Sequence, residues 1–161
     1  MTSIFYRSER VGKNGKLFSM LKLRTLKEGT KTEYKHDSYT RFGRFFRKFR
    51  IDEIPQLLHV LTRRMNLVGP RPQEQKTLSL YPGHLREKLL SVRPGLFGLA
   101  GLYFMDEEKL LTLSDYPEKD YWEKIVPMKI ALDMFYIDNK CFTLDCWVVW
   151  QCVKKGLLWR K

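Results

Sequence analysis

Apolar and polar residues alternate near the N-terminus in a pattern that predicts a β-hairpin. Two partly apolar flanks, Ile4–Val11 and Leu17–Leu23, surround the sequence Lys-Asn-Gly-Lys at positions 13–16. Asn-Gly favours the positive φ angles of a tight turn between antiparallel strands. Lys22 and Arg24 alternate with leucines, so they share one face of the second strand. This face is either solvated or part of an anion-binding site.

The next two segments have helical periods. In Arg41–Arg50 the phenylalanines fit one helix face and the basic residues the other. In Asp52–Leu61 we predict a second helix, with His59 off its buried face. The residues of that face are Ile51, Ile54, Leu57, Leu58 and Leu61.

The rest of the chain predicts further helices and two loops. The loops are Lys27–Tyr39 and the acidic stretch Asp106–Asp120, whereas Glu74–Leu90 is helical around a break at Pro82. The helices Tyr121–Lys140 and Phe142–Lys161 end the chain. Tryptophans and basic residues interleave in the last helix, which suits either a membrane interface or a packed helix with a basic tail. The predicted fold class is α+β: one mainly helical domain, with an N-terminal β-hairpin and amphipathic interfacial helices.

Charge adds a constraint that periodicity does not give. Lys and Arg number 30 against 18 Asp and Glu, a formal net charge of +12. This excess implies an anionic partner: nucleic acid, membrane lipid or a phosphorylated small molecule. The sequence predicts no transmembrane helix, because no window reaches about 18 apolar residues. The residues Met1–Arg10 are too polar for a signal peptide.

Two adjacent carboxylates, Asp52 and Glu53, interrupt this basic region. Proline is tolerated in the first turn of a helix, so Pro55 places both acids at or just before a helix N-terminus. Asp52 then serves either as a helix cap or as a nucleophile among phosphate-binding bases. The cap explains one acid well and the pair less well.

Two stiff turns each present an arginine beside proline. The prolines of Gly69-Pro70-Arg71-Pro72 restrict the backbone on both sides of Arg71. In Val92-Arg93-Pro94-Gly95 a proline follows Arg93. A restrained arginine suits anion recognition, since little conformational entropy is lost on binding.

Several motifs of the sequence resemble those of bacterial sugar transferases. These are the monotopic phosphoglycosyl transferases that initiate glycan assembly on polyprenol carriers. The likeness covers almost the whole chain. The matching motifs are Arg10-Val11-Gly12, Lys22-Leu23-Arg24-Thr25, Thr40-Arg41-Phe42-Gly43-Arg44, Asp52-Glu53-Ile54-Pro55-Gln56, Gly69-Pro70-Arg71-Pro72 and Val92-Arg93-Pro94-Gly95.

The resemblance implies a two-step transfer of sugar-1-phosphate from a UDP-sugar to polyprenol phosphate, with release of UMP. Asp52 corresponds to the nucleophile, which holds the phosphosugar covalently, and to a ligand of the required Mg²⁺. Glu53 corresponds to a partner acid or base, or to a residue that positions the metal. The phosphate-binding residues implied are Arg71, Arg93, Lys22 and Arg24.

Two departures from the family pattern bear on function. Family members carry a hydrophobic N-terminal segment that dips into the membrane, whereas this chain, taken as one catalytic domain over residues 1–161, starts almost at the hairpin. The family's Gly-Ile-Thr-Gly-Trp-Ala-Gln is Gly-Leu-Phe-Gly-Leu-Ala-Gly at positions 95–101. Sugar or acceptor recognition is therefore open.

The resemblance places the protein on the cytoplasmic face of the bacterial inner membrane, peripheral or monotopic, or in solution if the shorter N-terminus is natural. Expected partners are a UDP-sugar, polyprenol phosphate, an anionic membrane surface and downstream glycosyltransferases. Two rivals remain. One is a catalytically impaired relative that binds membrane or a partner protein. The other is a nucleic-acid-binding domain, which explains the charge but not the acid pair.

Overall fold

A computed structural model describes residues 4–27, 39–40, 42–79 and 81–158. The strands are β1 (Phe5–Val11), β2 (Leu17–Leu23), β3 (Asn66–Val68) and β4 (Gly95–Phe97). The α-helices are α1 (Gly43–Lys48), α2 (Leu57–Leu61), α3 (Gln75–Leu78), α4 (Gly83–Leu90), α5 (Leu99–Tyr103), α6 (Glu107–Thr112), α7 (Pro117–Asp120), α8 (Val126–Asn139) and α9 (Phe142–Leu158). A 3₁₀ turn spans Ile51–Gln56, and a π-helical turn spans Tyr121–Ile125. The predicted mainly helical α+β class is confirmed.

Some predictions fall outside the described residues. Most of the predicted loop Lys27–Tyr39 lies there, as do Trp159 and the last two basic residues of the chain. Within the described ranges, no helix has both the length and the apolar character to cross a bilayer.

The predicted hairpin is confirmed. Strands β1 and β2 pair antiparallel along their whole lengths. Asn14 and Gly15 take φ angles of 57° and 76°, as an Asn-Gly turn requires. Phe18, Met20 and Lys22 share the inward face of β2, where Met20 is 2% exposed. Lys22 therefore projects toward the rest of the protein.

A second, parallel sheet joins the two turns that carry Arg71 and Arg93. Just beyond β3, Gly69 approaches the start of β4 so closely that a Cβ on Gly95 would lie 2.0 Å from the Gly69 nitrogen. The Gly95 N–H donates a hydrogen bond to the Pro70 carbonyl at 2.8 Å. Arg71 follows β3 and Arg93 precedes β4. The two turns therefore leave the same small sheet.

Helix α8 is the centre of the apolar interior. It packs against α4 and α5, and α9 packs against α5 and the parallel sheet. Met134 belongs to one buried cluster and Tyr136 to another, while Ile137 contacts both. Val148 of α9 is fully buried. These helices bury apolar side chains in the usual way.

The segment Ile51–Leu61 does the opposite, so the predicted buried face is wrong. Four of the five residues that were predicted to form this face are 43–78% exposed: Ile54, Leu57, Leu58 and Leu61. The buried side chains are polar instead: Asp52, Gln56 and His59. The first six residues form a 3₁₀ turn of about three residues per turn, which rotates the pattern away from an α-helical face. The polar face packs on β2.

The acidic stretch Asp106–Asp120 was predicted as a loop, and this is also wrong. It contains α6 and α7. Pro117 occupies the first turn of α7, where proline is tolerated. The Ser114 hydroxyl donates to Asp120 Oδ2 at 2.6 Å, and Lys124 Nζ lies 2.7 Å from Asp120 Oδ1. Local polar contacts thus stabilise helical turns that composition does not reveal.

Candidate active site

Glu53 is surrounded by three cationic side chains from separate segments. Arg71 donates a hydrogen bond to Oε1 in the closest of these contacts. Lys22 Nζ lies 3.6 Å from the same oxygen, and Arg50 Nη1 donates to Oε2 at 3.3 Å. The Glu53 side chain is 12% exposed. The structure therefore brings Lys22 and Arg71 together at the acid pair, where the sequence motifs place them.

The cations decide the charge of Glu53. Burial by itself raises the pKa of a carboxyl, but here Arg71, Lys22 and Arg50 outweigh it. The pKa of Glu53 consequently lies well below its usual range. Glu53 stays ionised at physiological pH and is poorly suited to donate a proton.

The charges also act on the cations and on Asp52. Burial and then Arg71 lower the pKa of Lys22, against the opposing effect of Glu53 and Asp52. Glu53 raises the pKa of Arg71, and Asp52 adds to that rise. Asp52 therefore lies within electrostatic reach of both Lys22 and Arg71, which is the setting that a nucleophile attacking phosphate requires.

Asp52 lies in the first turn of the 3₁₀ segment and is 7% exposed. The prediction that both acids lie at a helix N-terminus is confirmed. The cap position belongs to Arg50, however, so Asp52 is not the N-cap. Arg50 has a φ of 52°, a left-handed conformation that costs a non-glycine residue roughly 1–2 kcal/mol. Its ion pair with Glu53 helps to offset this cost.

Gln56 and His59 are two buried polar residues to which the sequence drew no attention. Gln56 is 2% exposed, and among the described residues its Nε2 has no hydrogen-bond partner. It is buried in the same short segment as Asp52, which makes it a further candidate for contact with substrate. The motif Asp-Glu-Ile-Pro-Gln contains Gln56 and could have indicated that it belongs to the site. The spacing of the apolar residues, however, predicted that the opposite face of the helix is buried.

His59 fixes the segment to the hairpin. The Leu21 N–H donates to His59 Nε2 at 3.2 Å, and the Phe18 ring lies edge-on with centroids 5.4 Å apart. Burial and then Arg64 lower the pKa of His59. Both effects favour the neutral imidazole, which can accept the Leu21 hydrogen bond.

Arg24 and Arg93 are the two remaining predicted phosphate-binding residues. Arg24 follows β2, is partly buried, and donates its backbone N–H to the Ile4 carbonyl at 2.8 Å. Arg93 is exposed and lines a groove beside the hairpin turn. Of the four predicted residues, the structure thus places Lys22 and Arg71 at Glu53.

The carboxylates also bear on the expected Mg²⁺. No three His, Cys, Asp or Glu side chains converge on a metal-binding point in the part of the chain that the structure describes. Mg²⁺ usually binds through one or two protein carboxylates together with substrate phosphates. Asp52 and Glu53 supply two adjacent carboxylates, and Glu53 is already neutralised by cations. The residues fit such an ion with Asp52 as the protein ligand.

Comparison with known proteins gives a match to the bacterial sugar transferase family over residues 1–158. The chain belongs to this family. As a bacterial sugar transferase it is an enzyme that transfers phosphosugar groups. The resemblance read from the motifs is therefore confirmed.

Three relatives illustrate the match. The uncharacterized sugar transferase EpsL of Bacillus subtilis is 34% identical over 96% of this chain and 70% of its own length. The exopolysaccharide production protein ExoY of Sinorhizobium fredii is 28% identical over 96% and 72%. The UDP-glucose:undecaprenyl-phosphate glucose-1-phosphate transferase of Caulobacter vibrioides is 41% identical over 59% of this chain and 39% of its own.

Proposed function

We propose that this bacterial sugar transferase moves a sugar-1-phosphate from a UDP-sugar to polyprenol phosphate, with Asp52 as the nucleophile. The observation that carries the proposal is the position of Asp52 beside the Glu53 cluster, within electrostatic reach of Lys22 and Arg71. The named activity of the Caulobacter relative supports the choice of donor and acceptor. The reaction would be the first membrane step of polysaccharide or glycoconjugate synthesis.

In the first step an Asp52 oxygen attacks the β-phosphorus of the donor. A bond forms between that oxygen and phosphorus, and the bond from phosphorus to the bridging oxygen of the diphosphate breaks. The electron pair leaves with UMP, and the phosphosugar stays on Asp52. Asp52 is 7% exposed, so donor binding must uncover one of its oxygens.

In the second step a phosphate oxygen of the polyprenol phosphate attacks the same phosphorus. The bond to Asp52 breaks, its electron pair returns to the carboxylate, and a polyprenol diphosphate sugar leaves. No other reactant is consumed. The two steps restore the enzyme.

The cations make this attack feasible because a carboxylate and a diphosphate repel each other. Lys22 and Arg71 would neutralise the phosphate oxygens, and a guanidinium fork matches two of them. Glu53 would act as a positioning residue, since it holds both cations beside Asp52. Mg²⁺, held by Asp52 and the donor phosphates, would supply further charge neutralisation.

The protein would work at a membrane surface. Phe42 and Phe45 of the α1 region are 62% and 54% exposed. Many of the apolar residues of α2 are exposed as well. On α9, Trp147 and Trp150 are 42% and 63% exposed. Exposed apolar side chains together with an excess of cations suit an anionic lipid surface. The partnership with downstream glycosyltransferases stays a prediction.

Replacing the proposed nucleophile tests the chemistry. With UDP-sugars and Mg²⁺, Asp52→Asn should release UMP roughly a thousandfold more slowly than wild type, because an amide is a poor nucleophile. Wild type incubated with the correct donor should gain the mass of one phosphosugar, and Asp52→Asn should not. Intact-protein mass spectrometry measures that adduct.

A matched control is Asp115→Asn, which makes the same change at an exposed position. It should release UMP at the wild-type rate. If Asp52→Asn folds normally and keeps that rate, Asp52 is not the nucleophile. A wild type that releases no UMP from any donor would instead favour the impaired, membrane-binding relative.

A further inference from the structure

A basic groove lies between the hairpin turn and the residues that follow α2. Its volume is about 550 Å³, and Phe18 forms part of its wall. Its cationic lining residues are Lys13, Lys16, Arg63, Arg64 and Arg93. All five are exposed, and within the described residues no carboxylate lines the groove. Five cations around a cleft that no described carboxylate lines favour a bound anion.

The backbone has a defined conformation at two of the groove residues, Arg63 and Arg64. Arg63 has a φ of 57°, which turns the chain at the end of α2. Its N–H donates to the Val60 carbonyl at 3.0 Å, and the Arg64 N–H donates to the His59 carbonyl at 2.9 Å. His59 is itself fixed to β2. The two arginines therefore leave a defined turn.

The groove is separate from the acid pair. Phe18 and Lys22 lie on the same face of β2 but four residues apart, which corresponds to roughly 13 Å. The two phosphates of a UDP-sugar share one oxygen, so both must lie close to Asp52 during the proposed reaction. The acceptor phosphate must reach the same phosphorus. In the proposed reaction both substrate phosphates therefore lie at the Lys22 end of this face, away from Phe18.

Apolar side chains border the groove and indicate what kind of anion it takes. Leu17 lines it and is 50% exposed. Arg63 comes two residues after Leu61, which is 78% exposed. Exposed apolar residues next to fixed arginines match the boundary between acyl chains and lipid headgroups.

We propose that this groove binds the phosphate headgroup of an anionic phospholipid and so fixes how the enzyme sits on the membrane. The proposal rests on the membrane association proposed above, but not on the chemistry of Asp52. The phosphate lies among the five cations, and the acyl chains run toward the exposed leucines. The occupied site would orient the protein without entering the reaction.

Charge removal inside and outside the groove tests this site. The groove variant is Lys16→Gln/Arg63→Gln/Arg64→Gln, and the control is Lys76→Gln/Lys119→Gln/Lys140→Gln, which removes the same charge from exposed positions on other elements. Flotation uses vesicles of phosphatidylcholine alone or with phosphatidylglycerol in equal amounts. At low salt the groove variant should lose about a hundredfold in partitioning onto the anionic vesicles, roughly fivefold per cation. The control should lose less than about fivefold.

Each other outcome overturns the site. Equal losses in the two variants would mean general surface attraction, and no loss in either would mean that the groove meets no lipid. If the groove variant kept vesicle binding but lost binding of inorganic phosphate, the ligand would be a soluble anion. UMP release from a UDP-sugar without vesicles should be the same in wild type and groove variant. A failure of the Asp52 test would therefore leave the flotation result intact.

Discussion

Glu53 is a partly buried and Asp133 a fully buried carboxylate, and their surroundings are opposite. Glu53 is 12% exposed and contacts Arg71, Lys22 and Arg50. Asp133 of α8 is 1% exposed, and among the described residues neither of its oxygens has a hydrogen-bond partner. Burial raises the pKa of Asp133 to about 7, with Lys129 opposing. The pKa of Glu53 instead lies well below its usual range.

The difference shows that neighbouring cations, rather than burial, decide which carboxyl keeps its charge. At Glu53, three segments of the chain each contribute a base, and the result is a fixed charged cluster beside Asp52. Around Asp133 the electrostatic neighbours include Tyr81 as well as Lys129. One carboxylate is kept ionised by its cationic neighbours, and the other lies in a largely apolar interior.

The largest expected effect comes from removing the charge of Glu53. Glu53→Gln leaves three cations without their shared partner and frees Lys22 and Arg71 to reorient. We expect a loss of roughly 2 kcal/mol in the free energy of unfolding, between the values for exposed and buried ion pairs, since Arg71 is 36% exposed. UMP release should fall about a hundredfold. Urea unfolding and the UMP assay measure the two effects.

A double-mutant cycle provides the control for this prediction. Arg71→Gln should destabilise the protein by itself, and adding it to Glu53→Gln should cost less than the sum of the single changes. Strictly additive effects would mean that the Glu53–Arg71 contact contributes nothing to stability. Glu53 and Asp133 would then differ less in their effect on stability than their contacts imply.

A second effect is expected at Asp133, and it depends on pH. The pKa of this carboxyl is about 7 in the folded chain against 3.8 for an ordinary aspartate. Between these values folding takes up a proton, so the free energy of unfolding of wild type falls as pH rises, by roughly 1.4 kcal/mol per pH unit. Asp133→Asn removes this dependence. Urea unfolding of both proteins at pH values from about 5 to 7 measures it.

The direction of this pH dependence distinguishes a neutral from an ionised Asp133. The stability of Asp133→Asn relative to wild type should increase steadily as pH rises through that range. Asp115→Asn makes the same change at an exposed site and serves as the control for the substitution itself. A difference that stays constant with pH for Asp133→Asn would mean that Asp133 is ionised and paired, like Glu53.

Local patterns predicted the local structure well. The Asn-Gly turn, the break at Pro82 and the positions of the acids in a first helical turn all follow from backbone preferences of single residues. Alternation in a strand fixed the face on which Lys22 lies, and the resemblance to the family assigned both Lys22 and Arg71 to the site. These features depend on few contacts distant in sequence.

Features that depend on tertiary contacts were missed. Hydrophobic periodicity shows that a helix has an apolar face but not whether this face meets the core or the exterior. The sequence therefore assigned Leu58 to the interior and left out His59, whose buried hydrogen bond comes from β2. The role of Arg50 at Glu53 depends on a left-handed backbone conformation that no motif signals.

The smallest expected effect concerns this outward apolar face. A buried leucine replaced by alanine costs about 2–5 kcal/mol, whereas Leu58 is 54% exposed and Leu58→Ala should change the free energy of unfolding by less than about 0.5 kcal/mol. Leu113→Ala, at another exposed leucine, should behave the same way in urea. The two variants should differ in how strongly they partition onto vesicles. Leu58→Ala should lose roughly tenfold in partitioning if its side chain inserts among lipids as proposed, whereas Leu113→Ala should lose nothing. A large loss of stability for Leu58→Ala would show that the segment buries its apolar face after all.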